Sequence, residues 1–224
     1  MTDGGSACKV AVTKLKKTNP IRIMLVEDHP AYRKGMVALI ESEADMQVVA
    51  ETGDGREALD LYRQKRPDVV LMDLRLPGMG GVEATLAIRG EFPEARVIVL
   101  TTFDMDEDIF RAIQSGAKSY LLKDTPDDEL SSTIRNVHAG KQILSEKLAK
   151  RLAVRQARPE LTQREIEVLQ LLIKGRSNKE IASGLFLSSD TIKAHLKTLF
   201  NKLKVQDRTE AAISAIRHGI VHLE

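Results

Sequence analysis

Five short apolar runs, IRIMLV, QVVAE, DVVLM, RVIVL and KSYLL, recur between residues 21 and 140 and limit the fold more than any other feature of the 224-residue chain. Each is apolar at neighbouring rather than alternate positions, so a strand built from it must be covered on both faces. The segments between and after them, Tyr32 to Ser42, Arg56 to Arg66, Gly81 to Gly90, Asp106 to Ser115 and Thr125 to Ala139, carry helical spacing. Strands that alternate with helices predict an α/β doubly wound, five-stranded parallel sheet. Ligands of such sheets collect at the carboxyl ends of the strands, so the residues that end each run are the first candidates for chemistry.

The texture changes on either side of this unit. Residues 1–20 mix Gly, Ser and Thr with four lysines and show no sustained period, which predicts a flexible arm. Residues 141–158 are rich in Lys, Arg and Ala with a weak helical period, which predicts a linker of partial helicity. Residues 159–224 carry no strand signal. Thr162 followed by Glu165 has the capping-box spacing for a helix that Gly175 would end, and Ser177 and Ser188 are placed to cap two more. With a last helix from Thr209 to His218, this is a small all-α four-helix domain whose second and third helices are joined by a short turn. The expected organisation is an arm (1–20), an α/β domain (21–140), a linker (141–158) and a helix-turn-helix domain (159–224).

The formal net charge of +2 hides an asymmetry. Residues 21–150 carry 17 basic and 23 acidic groups, net −6, whereas residues 151–224 carry 13 and 8, net +5. The acidic half suits cations or phosphate chemistry and the basic end suits a polyanion. The single cysteine, Cys8, excludes an internal disulfide and a multi-cysteine zinc site. No apolar run approaches the roughly 18 residues of a membrane span, and the first 20 residues lack the apolar stretch of a signal peptide. A cytoplasmic location and no membrane partner are expected.

Glu27 and Asp28 end the first run and Asp73 ends the third, so a doubly wound sheet brings three carboxylates together at one edge. Like charges that close repel unless a cation sits among them. Mg2+ is the expected ion, because it is held by one or two carboxylates together with phosphate oxygens. Thr101 and Lys123 end the fourth and fifth runs and offer a hydroxyl and an ammonium to a phosphoryl group on Asp73.

The doublet in LVEDHP, the aspartate in VVLMDLRLPGMGG, the hydroxyl in VIVLTT and the lysine in YLLKD together resemble the receiver domain of a bacterial response regulator, across residues 21–140. The resemblance implies that Asp73 is the phosphoacceptor, that Glu27, Asp28, Asp73 and the Arg75 backbone carbonyl hold Mg2+, and that Thr101 and Tyr120 form a switch with Lys123 on the phosphoryl oxygen. Tyr120 would turn inward as Thr101 moves. The segment LTQREIEVLQLLIKGRSNKEIASGLFLSSDTIKAHLKTLFNKLKVQDRTEAAISA resembles the LuxR-type helix-turn-helix. It implies a recognition helix from Ser189, with Lys193, Ala194 and Lys197 toward base edges. Asn178, Lys179, Thr191 and His195 would lie near phosphates, and Thr209, Ala212, Ile213 and Ile216 on a dimer-forming helix. His195, flanked by apolar neighbours, is as well explained by packing.

Together the two halves resemble the NarL/FixJ-type regulators. That layout implies a transcription regulator phosphorylated on Asp73 by a cognate histidine kinase, dimeric once phosphorylated, bound to a double-stranded DNA operator, and not an enzyme beyond promoting its own phosphorylation and dephosphorylation. A magnesium-dependent phosphatase would need a second carboxylate two places after Asp73, where Arg75 stands. A constitutive DNA binder that uses its receiver only to dimerise is the other alternative. Arg75 and Phe103, each two places after a pocket residue, cannot orient a hydrolytic water as a carboxylate or carboxamide does, which predicts slow self-dephosphorylation.

Overall fold

The computed structural model describes residues 19–221; the expected arm, apart from Asn19 and Pro20, lies outside the described residues. Five strands, β1 (Ile21–Val26), β2 (Met46–Thr52), β3 (Val69–Met72), β4 (Val97–Thr101) and β5 (Ser119–Leu122), form one parallel sheet in the order β2-β1-β3-β4-β5. The helices that follow them are α1 (Pro30–Ser42), α2 (Gly55–Lys65), α3 (Gly81–Glu91), α4 (Asp106–Gln114) and α5 (Asp127–His138). Ile23, Leu25, Leu71, Ile98 and Leu100 face α1 and α5 through Met36, Ile40, Leu130 and Ile134. Met24, Val26, Val70, Met72 and Val97 face α2 and α3 through Ala58, Tyr62, Ala84 and Ile88. Both faces of the central strands are therefore buried, as the unbroken apolar runs require.

The strand order reverses between β1 and β3, whose last residues Val26 and Met72 are paired. The Asp73 N–H donates to the Val26 carbonyl at 2.9 Å, and the Glu27 N–H to Thr52 at 2.9 Å, so the acidic residues emerge side by side at the switch point. The first residue of α3 fixes the floor of this edge. A Cβ added at Gly81 would lie 1.9 Å from the Asp73 carbonyl oxygen, which only the absence of a side chain permits.

Beyond the sheet, Ile143 makes a parallel bridge to Ser119 at the β5 edge. The linker is more ordered than its weak period suggests: Ser145 caps a three-turn helix, α6 (Glu146–Gln156), that lies against α4. The C-terminal unit is α7 (Gln163–Ile173), α8 (Asn178–Gly184), α9 (Ser189–Leu203) and α10 (Arg208–Arg217). Both Thr162 and Ser177 form complete capping boxes, with Glu165 and Glu180, and Ser188 caps α9. Val168, Leu169, Ile181, Ile192, Leu196 and Leu199 fill its separate core, while Leu203 is only partly buried against it. Glu165 is buried and also meets Lys202 Nζ at 2.7 Å, which ties α7 to the end of α9.

A Gly81→Ala substitution should destabilise the α/β domain by about 1–3 kcal/mol, read as a lower urea midpoint. An unchanged midpoint would mean that α3 approaches Asp73 less closely.

Candidate functional site

Asp73 follows four fully buried residues of β3 and is itself 3% exposed; Glu27 is 1% exposed. One ammonium serves both: Lys123 Nζ lies 2.8 Å from Asp73 Oδ2 and 2.6 Å from Glu27 Oε2. Lys123 is delivered by the end of β5, where its N–H donates to the Thr101 carbonyl at 2.8 Å. Burial acts to lower the pKa of Lys123, but hydrogen bonds to Asp73 and Glu27 outweigh it and raise the value, so the ammonium stays charged. Two nearly buried carboxylates on one cation leave the pocket with excess negative charge.

Asp28 and His29 extend the cluster, and ligand atoms of Glu27, Asp28, His29 and Asp73 lie within 4.8 Å of one another. Asp28 Oδ1 is buried and receives no well-formed hydrogen bond, although His29 Nδ1 is 2.8 Å away. Proximity without donor geometry does not satisfy that oxygen, so a buried carboxylate acceptor faces a crowded acidic pocket. The chemistry of the set, hard oxygens with one unsatisfied, fits a hard divalent cation. His29 was not among the expected ligands, and a lone exposed histidine after a carboxylate pair carries no sequence signal of its own.

Arg75 directly follows the pocket: its N–H donates to Asp73 Oδ1 at 3.3 Å, and its guanidinium sits 4.5 Å from the Phe103 ring centroid. The two residues of the slow-hydrolysis expectation therefore stack on each other beside Asp73. Thr101 is buried, and its Oγ1 accepts from the Phe103 N–H at 3.4 Å. Tyr120 is also buried, 1% exposed, and donates its hydroxyl to the Phe103 carbonyl at 2.7 Å. Burial first, then the nearby carboxylates of Asp108 and Asp104, raises its pKa and keeps the phenol protonated. The ring already occupies an inner position, so an inward swing is not the motion left to it. Tyr32 lines the other side under Lys123, 4.7 Å from Nζ to ring centroid, its phenol pushed up to about 12 by burial and then by Glu27.

In the helical domain Lys193, Ala194 and Lys197 are exposed on one side of α9, opposite buried Ile192, Leu196 and Leu199. Lys193 Nζ is held by Asp190 at 2.9 Å, a surface pair of small worth. Ser189, Thr191 and His195 are half-buried; Thr191 donates its N–H to Ser188 Oγ at 3.0 Å at the start of the helix. Asn178 and Lys179 open α8. On α10, Ile213 is 60% exposed and Thr209 is exposed, whereas Ala212 and Ile216 are half-buried.

The residues joining the two domains had no counterpart in the sequence reading. Arg155 of α6 donates to Glu107 at 2.5 and 3.2 Å and lies 4.2 Å over Phe110. Arg151 holds Asp106 at 2.8 Å, pairs with the Asp104 carboxylate, and donates to the Asp104 carbonyl at 2.9 Å. The free N–H of Glu107 at the start of α4 donates to the His218 carbonyl, at the C-cap of α10, at 3.1 Å. Two helix ends of opposite partial charge thus meet head to tail. Gly219, in the left-handed region at φ 73°, brings the backbone against Met105, where a Cβ would approach to 2.8 Å.

An acidic switch-point pocket linked by a charged helix to a helix-turn-helix unit defines a class of protein in which one domain carries phosphoryl chemistry and the other meets DNA. Residues 23–135 match the response regulator receiver domain family, and residues 159–215 match the luxR family of bacterial regulatory proteins. The chain is 40% identical over 210 residues to the transcriptional regulatory protein LiaR of Bacillus subtilis, covering 90% of this chain and 100% of that one. It is 36% identical over 206 residues to the response regulator protein VraR of Staphylococcus epidermidis, covering 90% and 99%. The response regulator ChrA of a heme-sensing two-component system superposes with a TM-score of 0.55 at 36% identity, over 91% of this chain and 100% of that one. RcsB of Salmonella typhimurium gives 0.64 at 24% identity over 86% and 98%, a likeness of fold. The chain belongs to the two-component response regulators with a LuxR-type DNA-binding domain and is a transcription regulator. Among the described residues no helix is long and apolar enough to cross a membrane.

Replacing Asp73 with Asn removes one of two buried carboxylates on Lys123 while Glu27 keeps its partner. At neutral pH, in metal-free buffer, this should raise unfolding free energy by about 1 kcal/mol. A loss of stability would show that the Asp73–Lys123 bond outweighs the carboxylate repulsion.

Proposed function

We propose that Asp73 accepts a phosphoryl group from a cognate histidine kinase and that the modified receiver controls how a dimer of this chain grips a double-stranded DNA operator. The observation that carries this reading is the sharing of Lys123 by buried Asp73 and Glu27 beside the unsatisfied Asp28 oxygen. The Asp73 carboxylate attacks the donor phosphorus, the new O–P bond forms as the P–N bond to the donor imidazole breaks, and the imidazole, already protonated on its other ring nitrogen, takes the P–N electron pair and leaves neutral. Asp28, Asp73 and the Arg75 carbonyl, with Glu27 behind them, would hold Mg2+, which offsets charge on the transferring oxygens. Lys123 exchanges its bond to Asp73 for one to a phosphoryl oxygen, and Thr101 supplies a hydroxyl to another. With Arg75 in place of a second acid, the chain lacks the general acid and base of an aspartyl phosphatase; the receiver promotes only its own phosphorylation and dephosphorylation.

On the DNA side, Lys193, Ala194 and Lys197 face base edges in the major groove. Asn178, Lys179, Thr191, His195 and the amino end of α9 at Ser189 approach phosphates. The exposed Ile213, with Thr209, Ala212 and Ile216, gives α10 an apolar face for a second copy, and two copies read two half-sites. The α10 end sits on α4 in this structure, so releasing that contact frees α10.

Incubation with acetyl phosphate and Mg2+ should add one phosphoryl mass to wild type and none to Asp73→Asn; no gain on wild type overturns the reading. Once formed, the phosphoryl should decay more than about tenfold faster in Arg75→Asn with Phe103→Glu, where the stack over the pocket is opened and a water can be oriented. Unchanged or slower decay removes the stack's role. On any bound duplex, Lys193→Ala and Lys197→Ala should each weaken affinity. A change in the slope of log K against log salt of about 1 for either would place that lysine on a phosphate, and an unchanged slope with altered sequence preference would place it on a base.

A further inference from the structure

Between the domains lies a cavity of about 460 Å3 with walls from α4, the end of α6 and the segment after it, α7, the end of α9 and α10. Its volume falls within the roughly 300–1,000 Å3 that drug-sized ligands occupy. Phe110, Leu161, Ile166, Leu203 and Ile220 give it an apolar lining. Five cations also line it, Arg111, Arg155, Arg158, Lys202 and Lys204, against only two carboxylates, Glu107 and Glu160.

The existing pairings do not use up this positive charge. Lys202 is taken by Glu165 at 2.7 Å, but Arg155 and, at 3.3 Å, Arg111 share the single carboxylate of Glu107, and Arg158 reaches Asp106 only at 3.7 Å. Arg155 is 8% exposed, and its Nη1 is a buried donor without a hydrogen-bond partner. A guanidinium nitrogen left unpaired in a dry setting is costly, and an anion beside it removes the penalty. His218, also on the wall, has its pKa lowered by burial first and then by the charge of Arg158. An inorganic ion would satisfy the cations and leave the apolar wall wetted. An aromatic or aliphatic body carrying one acidic group satisfies both.

We infer that this cavity binds an organic monoanion, an aromatic or branched aliphatic carboxylate, sulfonate or phosphate diester, with its charged group at Arg155 and Arg158 and its body against Phe110, Leu161 and Leu203. Because the walls come from both domains and from the linker, such a ligand binds only the joined arrangement and shifts the population toward it. The inference goes beyond phosphorylation and DNA binding and depends on neither.

The test uses the full chain and two fluorescent probes of matched shape, 1-anilinonaphthalene-8-sulfonate and its uncharged parent N-phenyl-1-naphthylamine. The sulfonate should bind at one saturable site, about tenfold or more tighter than the neutral probe, a preference of the size expected of one charge-assisted contact. Ser214→Phe, which fills the cavity from α10, should abolish binding. Arg158→Ala, at a partly exposed position, should weaken the sulfonate about fivefold or more and leave the neutral probe unchanged. Equal affinity for the two probes, saturable binding that survives both substitutions, or no saturable binding by wild type would each overturn the inference. If Ser214→Phe unfolds, Arg158→Ala and the probe comparison decide alone.

Discussion

Everything at the carboxyl edge of the sheet depends on one ammonium among too many carboxylates. Parallel strands buried on both faces leave little room for charge along their length, so the chemistry gathers at their carboxyl ends, and the reversal between β1 and β3 brings Glu27 and Asp73 within reach of the same Lys123. In so poorly solvated a place each missing counter-charge matters more than it would in water. The pocket is therefore set up to gain from a cation and to respond to any change in the charge of Asp73. Gly81 makes the crowding possible, since α3 could not start so near the Asp73 carbonyl with a side chain there.

A change at Asp73 has a short physical route outward. Phe103 is where the route turns: its ring carries Arg75, its N–H reaches Thr101, and its carbonyl takes the Tyr120 hydroxyl. The next residues of the same loop are the ones that the linker and the DNA-binding domain hold, Asp104 and Asp106 by Arg151, Met105 by Gly219 and Glu107 by Arg155 and the end of α10. Tyr120 thus acts as a strut under the loop from inside the sheet, not as a ring waiting at the surface. Thr101 is one hydrogen bond away from the residue that opens the 103–107 loop.

The sheet and its pocket were legible because local pattern and function coincide there. Unbroken apolar runs specify strands covered on both faces, and the carboxylates, hydroxyl and lysine sit directly after them, so position along the chain fixes position in space. The capping boxes at Thr162 and Ser177 were legible for the same reason, since both partners lie three residues apart. What joins the domains was not. The helix α6 buries only Arg155 among its residues and is anchored by arginines to acids 45 to 48 positions away, a separation that leaves no trace in periodicity. The inner position of Tyr120 was equally hidden, because it is set by a carbonyl 17 residues earlier in an irregular loop.

The composition of the domain junction suits a switch better than a permanent joint. Its contacts are mostly polar, ion pairs, hydrogen bonds to backbone carbonyls and a glycine approach, with Leu148 of α6 packed against the α4–β5 core and Arg155 over Phe110, around a cavity that apolar side chains line but do not fill. Buried or half-buried ion pairs are specific in geometry yet add little net stability once desolvation is counted. To carry a two-state equilibrium from about 1:99 to 99:1, a signal must contribute roughly 5.5 kcal/mol of differential free energy. On the proposed reading, a phosphoryl group with about −1.5 to −2 charges would replace the single charge of Asp73 in a pocket already over-supplied with negative charge and so shift Lys123 and Thr101, and Thr101 bears on the same loop that the arginines hold. A well-packed apolar interface would resist a signal of that size; a polar, incompletely filled one yields to it.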